Sequence, residues 1–191
     1  LDHAVPDLKE FFHVGRTLDR GNPAFDSYPE NIWPPAPPSI ETHAILLFDA
    51  LESCATVLLE ALELADALPE GTFSGMLRNG NHVLRALHYP PIPRDAHPAA
   101  LRAAPHEDIN LITLLCEASD AGLEILRPDG RWLPVEAATG QLVVNAGDML
   151  ARMTNGALPA TTHRVTNPAG PSTSHRYSLP FFAHPRPECD L

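Results

Sequence analysis

The sequence contains few cysteines and no CxxC pair. Its 191 residues include only Cys54, Cys116 and Cys189, which lie far apart and cannot all pair within the chain. This spacing gives no support for a zinc site built from thiolates. Unpaired thiols are typical of a reducing compartment, so we expect a cytoplasmic protein.

Basic residues are also scarce. The chain has 13 Lys and Arg against 24 Asp and Glu, a formal net charge of −11, and no cluster of basic residues. Nucleic acids and anionic membrane surfaces attract positively charged proteins, so we expect neither as a partner. No apolar run approaches the length of a bilayer span. We therefore expect a soluble protein that acts on a small molecule, in an oligomeric state that the sequence does not predict.

The length and composition suit one globular domain. Hydrophobic residues make up 44% of the chain, enough for a sizeable core, so we expect residues 1–191 to form a single domain. The 21 prolines concentrate in NIWPPAPPSI and YPPIPRDAHP, which predicts loops there. The chain begins with LDHAVPDLKE, which has neither an initiator Met nor the pattern of a signal peptide, so we expect a fragment of something longer.

Residues 1–79 predict an irregular and helical part, with LKEFFHV as a candidate strand. Ser39 stands in N-cap position before a long helix predicted near residues 40–68, which Pro69 and Gly71 end. An apolar stripe runs along this helix in steps of three and four: Phe48, Leu51, Ala55, Leu58 and Leu62. Such a stripe predicts that the helix packs on the outside of a sheet.

Residues 80–184 predict a series of short strands separated by turns. The candidate strands are HVLRALHY, INLITLLCE, GLEILR, RWLPV, QLVVNA, MLARMT, ATTHRVTN and HRYSLPFFA. Asp129-Gly130 and Asn155-Gly156 are typical of hairpins. Many evenly spaced strands after a helical segment favour a mainly β fold with flanking helices, a two-sheet sandwich or jelly roll.

A histidine and an aspartate, His106 and Asp108, lie two residues apart just before an apolar run. In extended chain their side chains project to the same side. His163, in a later candidate strand, is the natural third ligand. Two imidazoles and one carboxylate on one face form the facial triad of non-haem Fe(II) oxygenases. The alternative is an ordinary turn, which also uses such residues.

Arg176 and Ser178 share one face of a candidate strand, with Phe182 further along it. An inward-pointing Arg in an apolar strand needs an anionic partner, and its planar fork suits a carboxylate. Ser178 can donate to the same group. The alternative is an edge-strand Arg paired with one of the many acidic residues.

The order His106-x-Asp108, His163-Arg164-Val165 and Arg176-x-Ser178 resembles the isopenicillin N synthase-like group of Fe(II)/2-oxoglutarate dioxygenases. Segments in the same order carry the resemblance further: LHYPPIP, HEDINLITLL, GLEIL, NAGDML, TNGALPATTHRVTNP and RYSLPFF. The resemblance implies a double-stranded β-helix, or jelly roll, over residues 80–184 with Fe(II) between its sheets. It also implies a chain that is short at both ends.

The resemblance also implies roles for single residues. It assigns iron ligation to His106, Asp108 and His163. It assigns the far carboxylate of 2-oxoglutarate to Arg176 and Ser178, with Tyr89 as a further contact. Relatives often carry Asn two residues before that tyrosine, where this chain has Leu87, so one polar contact is missing. Three apolar residues are candidates for the wall of the substrate pocket or for plain core: Phe182, Leu114 and Leu123.

The chemistry implied is oxidation of a small molecule by O₂, coupled to conversion of 2-oxoglutarate to succinate and CO₂. Hydroxylation, desaturation and cyclisation all remain open, as does the identity of the substrate. One alternative is an oxidase of the isopenicillin N synthase type, which uses the iron without 2-oxoglutarate. Another is a cupin-like metal or small-molecule binding protein, although cupins typically show His-x-His and lack the later Arg-x-Ser.

Overall fold

A computed structural model describes residues 5–22, 24–169 and 173–191. Its strands and helices follow in this order: β1 Glu10–Gly15, α1 Ile40–Ala65, α2 Ser74–Leu77, β2 Val83–Tyr89, β3 Ala103–His106, β4 Ile112–Leu115, β5 Leu123–Leu126, β6 Trp132–Pro134, β7 Val143–Ala146, α3 Asp148–Met153, β8 His163–Val165, β9 Arg176–Ser178 and β10 Pro180–Ala183. A single 3₁₀ turn, Phe25–Ser27, precedes α1. None of the helices described is long and apolar enough to cross a bilayer.

The strands form two antiparallel sheets. The larger sheet has the order β1-β2-β10-β4-β7, with β9 also paired to β2, and the smaller has the order β3-β8-β5-β6. A cavity lies between them, lined by side chains of both. The mainly β fold with a jelly-roll core and flanking helices is confirmed.

Alternation along the strands decides which side chains reach this cavity. In β2, Arg85, Leu87 and Tyr89 line the cavity, whereas Leu84 faces the other way into the core beneath α1. The same rule places Phe182 in the cavity and Phe181, its neighbour in β10, under the helix. Because side chains alternate with a period of two, one face of the larger sheet holds the core and the other holds the site.

Helix α1 covers the outer face of the larger sheet, as predicted, but its stripe differs from the one expected. Leu59 and Glu63 are buried, whereas Leu58 is 37% exposed. The predicted steps of three and four average 3.5 residues, slightly less than the 3.6 residues of a helical turn. Toward the end of α1 the buried positions therefore lie one residue later than predicted. Ser39 is the N-cap residue but makes no side-chain cap. Its carbonyl accepts hydrogen bonds from the backbone N–H of His43 at 3.1 Å and from His43 Nδ1 at 2.9 Å.

Two predictions in the later part of the chain are wrong. MLARMT is not a strand, because Asp148–Met153 forms α3 and buries Leu150 under the larger sheet. Asn155 and Gly156 do not form a hairpin. They take positive φ angles of 50° and 80° after α3, and the Gly156 N–H bonds to the Ala151 carbonyl at 2.8 Å. This arrangement is the Schellman motif that ends helices. The hairpin predicted at Asp129-Gly130 does connect β5 and β6.

Candidate metal centre

His106, Asp108 and His163 meet at one point at the edge of the cavity. His106 ends β3 and pairs with His163 of β8 in the smaller sheet, and Asp108 follows in the connection to β4. Asp108 Oδ1 lies 3.9 Å from the Nε2 atom of each histidine. The three ligand atoms lie within 4.8 Å of one another, and no other group of three His, Cys, Asp or Glu side chains in the described ranges converges in this way.

Both imidazole rings are oriented by the backbone. His106 Nδ1 donates to the Ala104 carbonyl at 2.7 Å, and His163 Nδ1 donates to the Thr161 carbonyl at 3.0 Å. Because a carbonyl only accepts, each Nδ1 carries a hydrogen, and in the neutral ring this leaves the lone pair on Nε2. Burial, and then the neighbouring His163, lower the pKa of His106 below its ordinary value. Both rings thus direct Nε2, the nitrogen that can bind a metal, toward Asp108.

The Asp108 carboxylate is oriented by side chains of the larger sheet. Its Oδ2 accepts hydrogen bonds from Thr113 Oγ1 at 2.6 Å and from Asn145 Nδ2 at 3.1 Å. Asn110 Nδ2 donates in turn to Thr113 Oγ1 at 2.7 Å. Asp108 is buried, and these bonds leave Oδ1 directed at the two histidines. The sequence prediction missed Thr113 and Asn145, although both are polar residues within apolar strands.

Tight packing against Gly147 holds the Asp108 connection in place. The Gly147 N–H bonds to the Leu111 carbonyl at 2.9 Å, and the Asp148 N–H bonds to the Asp108 carbonyl at 2.9 Å. A Cβ atom at position 147 would overlap the backbone and side-chain oxygens of Asn110 and lie 2.8 Å from the Asp108 carbonyl oxygen. Only glycine fits this close approach.

Arg176 lies in the same cavity with its charge unpaired. The residue is 1% exposed, and its Nε donates to the carbonyls of Asp120 and Ala121 at 3.0 and 3.2 Å. Its guanidinium carbon lies 4.9 Å from the centre of the Tyr89 ring. Nη1 is buried, and no residue in the described ranges gives it a hydrogen-bond partner. Burial lowers the pKa of Arg176, which shows how poorly solvated the charged group is.

Ser178 and Tyr89 lie beside Arg176, as the strand pairing requires. Tyr89 is directly opposite Arg176, and Leu87 is directly opposite Ser178. All four side chains line the cavity and are buried. Leu87, in the place of a polar residue, packs with Tyr89 in the small apolar cluster between the sheets.

The three apolar candidates divide between cavity and core. Phe182 and Leu123 line the cavity. Leu114 is fully buried in the core under α1, so its predicted place in the pocket wall is wrong. Leu114 follows Thr113 in β4, and neighbouring side chains of a strand point to opposite faces. Thr113 faces the cavity, so Leu114 points away from it.

Lys9 and Arg85, two cations that the sequence prediction did not include, also line the cavity. Lys9 lies just before β1 and Arg85 in the middle of β2. Arg85 is a charged residue on the cavity-facing side of an apolar strand. This position is the sequence signal that could have revealed it.

Comparisons with known proteins agree with this geometry. A family model described as the 2OG-Fe(II) oxygenase superfamily matches residues 80–185. A 2-oxoglutarate-Fe(II) type oxidoreductase of Emericella nidulans is 33% identical over 194 residues, covering 96% of this chain and 54% of that protein. A related oxidoreductase of Aspergillus fumigatus is also 33% identical, covering 97% and 56%. The chain thus spans about half the length of the curated relatives it matches.

Solved structures show the same likeness. A Caulobacter crescentus protein assigned to the 2OG-Fe(II) oxygenase family is 45% identical, with a TM-score of 0.84 over 94% of this chain and 58% of that chain. A full-length Neurospora crassa protein, solved in complex with alpha-KG, is 29% identical, with a TM-score of 0.84 over 97% of this chain and 57% of that one. Sequence, fold and site together show that this chain belongs to the 2OG-Fe(II) oxygenase superfamily.

Proposed function

We propose that this protein is an Fe(II)- and 2-oxoglutarate-dependent oxygenase that oxidises a small molecule, with His106, Asp108 and His163 as the iron ligands. One observation carries the proposal. Among the described residues, the buried Nη1 of Arg176 has no hydrogen-bond partner, and it lies in the same cavity as the three converging ligand atoms. A molecule that chelates metal at one end and carries a carboxylate at the other satisfies both groups at once.

The donor set fits Fe(II). Two neutral imidazole nitrogens and one carboxylate oxygen form a facial triad, which leaves further coordination positions open. Thr113 and Asn145 engage Asp108 Oδ2, so the carboxylate offers the metal one oxygen, Oδ1. Bound Fe(II) and 2-oxoglutarate supply the oxidation of the substrate by O₂, with release of succinate and CO₂.

The protein's own contribution is binding, orientation and exclusion of water. Arg176 holds the far carboxylate, and the carbonyls of Asp120 and Ala121 fix its guanidinium through Nε. Ser178, 4% exposed beside it, donates its hydroxyl hydrogen to the same carboxylate. Tyr89 covers the guanidinium with its ring, which keeps solvent away from the ion pair.

The substrate side is the remainder of the cavity. Phe182, Leu123 and Ile125 supply apolar walls. The Neurospora crassa neighbour has also been solved in complex with alpha-KG and thymine, which supports a small molecule as substrate here.

The test is the stoichiometry of turnover. We expect the purified protein with Fe(II) to consume O₂ and to release succinate from 2-oxoglutarate, and we expect Asp108→Ala to abolish both. The matched control is Asp95→Ala, which removes an exposed carboxylate outside the cavity. Substrate-dependent O₂ consumption without 2-oxoglutarate would instead favour an oxidase. If the parent binds iron but shows neither reaction, an enzymatic role is refuted.

A further inference from the structure

Three cations line the cavity, and only two have an evident use. Lys9 pairs with Asp7, whose Oδ2 lies 2.7 Å from its Nζ. Arg176 is assigned above to 2-oxoglutarate. Arg85 has no carboxylate partner within 4.0 Å among the described residues, although the chain carries 24 acidic residues and a net charge of −11. The carboxylate of Asp108 acts on Arg85 from further away, but Asp108 is a proposed iron ligand, so the guanidinium is left for an anion from outside.

Arg85 is held in a fixed orientation. Its Nε donates to His13 Nε2 at 2.7 Å, directly across the β1–β2 pairing. Its guanidinium carbon lies 4.9 Å from the ring centre of Phe11 and 4.8 Å from that of Phe182. Because an Arg N–H can only donate, His13 Nε2 accepts this bond with its lone pair. Burial and the adjacent Arg85 lower the pKa of His13.

The terminal nitrogens of Arg85 are free to bind a ligand. Within the described part of the chain, neither Nη1 nor Nη2 makes a hydrogen bond. A guanidinium that rests on aromatic rings loses little hydration, and its two terminal N–H groups match the two oxygens of a carboxylate. The hydrogen bond from Nε and the contacts with the rings therefore hold the Arg85 side chain in place, while its two terminal nitrogens remain available.

Arg85 and Arg176 lie at different points along the cavity wall. Arg176 lies opposite Tyr89 at the end of β2, and Arg85 lies four residues earlier on the same strand. Four residues of strand correspond to about 13 Å. In the function proposed above, Arg176 takes one end of 2-oxoglutarate and the metal takes the other, so neither end is assigned to Arg85. Arg85 therefore faces the part of the cavity left to the substrate.

We propose that Arg85 binds a carboxylate of the substrate, so that the protein acts on small carboxylic acids. This proposal rests on the function proposed above. The apolar body of such an acid would pack on Phe182, whose ring already contacts the guanidinium, and would extend toward the ligand set of His106, Asp108 and His163.

The test compares an acid with its uncharged analogue. The full protein is loaded with Mn(II) and saturating 2-oxoglutarate without Fe(II), and the affinities of 3-phenylpropanoate and 3-phenylpropanamide are measured from the broadening of their proton signals. We expect the parent to bind the acid about ten-fold more tightly than the amide, since the half-buried Arg85 forms a charge-assisted pair. Arg85→Gln should remove the preference, and Arg85→Lys should keep part of it.

Arg94→Gln is the matched control, because Arg94 is exposed and lies outside the cavity, and it should keep the full preference. Binding of Mn(II) and 2-oxoglutarate, measured on the same samples, shows that each variant is folded. Failure of the parent to bind them counts against the proposed function. If the parent binds Mn(II) and 2-oxoglutarate but shows no preference for the acid over the amide, only the role of Arg85 is overturned. This holds whether both probes bind or neither does. An unchanged preference in Arg85→Gln, or in Arg85→Lys if the first variant does not fold, overturns it as well.

Discussion

Thr113 donates its hydroxyl hydrogen to Asp108 Oδ2 at 2.6 Å, and the same hydroxyl oxygen accepts a hydrogen bond from Asn110 Nδ2 at 2.7 Å. Thr113 belongs to the larger sheet, whereas the histidines beside Asp108 belong to the smaller one. The pair therefore connects the proposed iron ligands across the two layers. It also leaves Asp108 Oδ1 as the oxygen that faces the metal position.

Thr113→Val removes this bond while keeping the shape of the side chain. We expect Fe(II) or Mn(II) affinity to fall by about ten-fold or more, as is typical for groups that orient metal ligands. Calorimetric titration of Mn(II) under anaerobic conditions measures the effect. Thr139→Val, at an exposed position hydrogen-bonded to Glu117, is the control. Equal metal affinity in Thr113→Val and the parent would show that Asp108 needs no such support.

Gly147→Ala tests the packing around the Asp108 connection. The added Cβ meets backbone oxygens, which cannot rotate away, so we expect a loss of about 1–3 kcal/mol in the free energy of unfolding. Metal affinity should fall as well, since Asp108 must shift. Gly75→Ala is the control, because a Cβ there meets nothing within 4 Å. Urea unfolding and metal titration of both variants decide the matter, and a fully stable Gly147→Ala would contradict the account.

Arg176→Leu removes the proposed anchor of 2-oxoglutarate. We expect the affinity for 2-oxoglutarate to fall by about ten- to a hundred-fold, because charge-assisted bonds from a buried site are lost. Arg176→Lys should recover only part, since an ammonium keeps the charge but lacks the fork. Metal affinity should stay at the parent level in both variants, because Arg176 is not a ligand. Parent-like dependence of succinate release on 2-oxoglutarate in Arg176→Leu would remove Arg176 from the site.

Glu52 makes stability depend on acid pH. Burial of Glu52 opposes ionisation, but the nearby His82 ring and the hydrogen bonds from Arg16 outweigh it and lower the pKa from 4.5 to about 2. A folded-state pKa below the unfolded one stabilises the fold above the unfolded value, and the contribution is lost as pH falls from about 4.5 toward 2.

We expect Glu52→Gln to lower the free energy of unfolding by about 1–2 kcal/mol at pH 7, a value reduced for solvent screening of the half-buried carboxylate, with the difference vanishing near pH 2. Urea unfolding across this pH range is the measurement. Glu60→Gln is the control, since Glu60 is exposed on the same helix and pairs with no cation in the described residues. A difference between Glu52→Gln and the parent that is constant with pH would contradict the role of ionisation.

Local pattern predicted much of the fold because most strands bury one face. Short apolar runs between turn residues predicted β2, β4, β5 and β7, and the stripe on α1 predicted the covering helix. The same reasoning failed at α3, because the order of apolar and polar residues in MLARMT fits either a strand or a short helix. Only the packing of Leu150 under the sheet decides between them. The strand β3 was missed because its four residues include Pro105 and two alanines.

The sequence was enough to predict the proposed iron ligands but not the residues that surround them. His106 and Asp108 are two residues apart, and their spacing alone places them together. The contacts of Asn145 with Asp108 and of His13 with Arg85 span 37 and 72 residues, so only the register of the sheets brings them together. The location in the cytoplasm and the absence of nucleic-acid or membrane partners stay predictions.

The most direct test of the account is an anaerobic titration of Fe(II) and 2-oxoglutarate into the protein, followed by visible absorption. We predict a charge-transfer band that requires both additions. The band should be absent in Asp108→Ala, and in Arg176→Leu it should need a higher concentration of 2-oxoglutarate. Absence of the band in the parent at saturating Fe(II) and 2-oxoglutarate, or its persistence in Asp108→Ala, would contradict the assignment of this site as an Fe(II)/2-oxoglutarate centre.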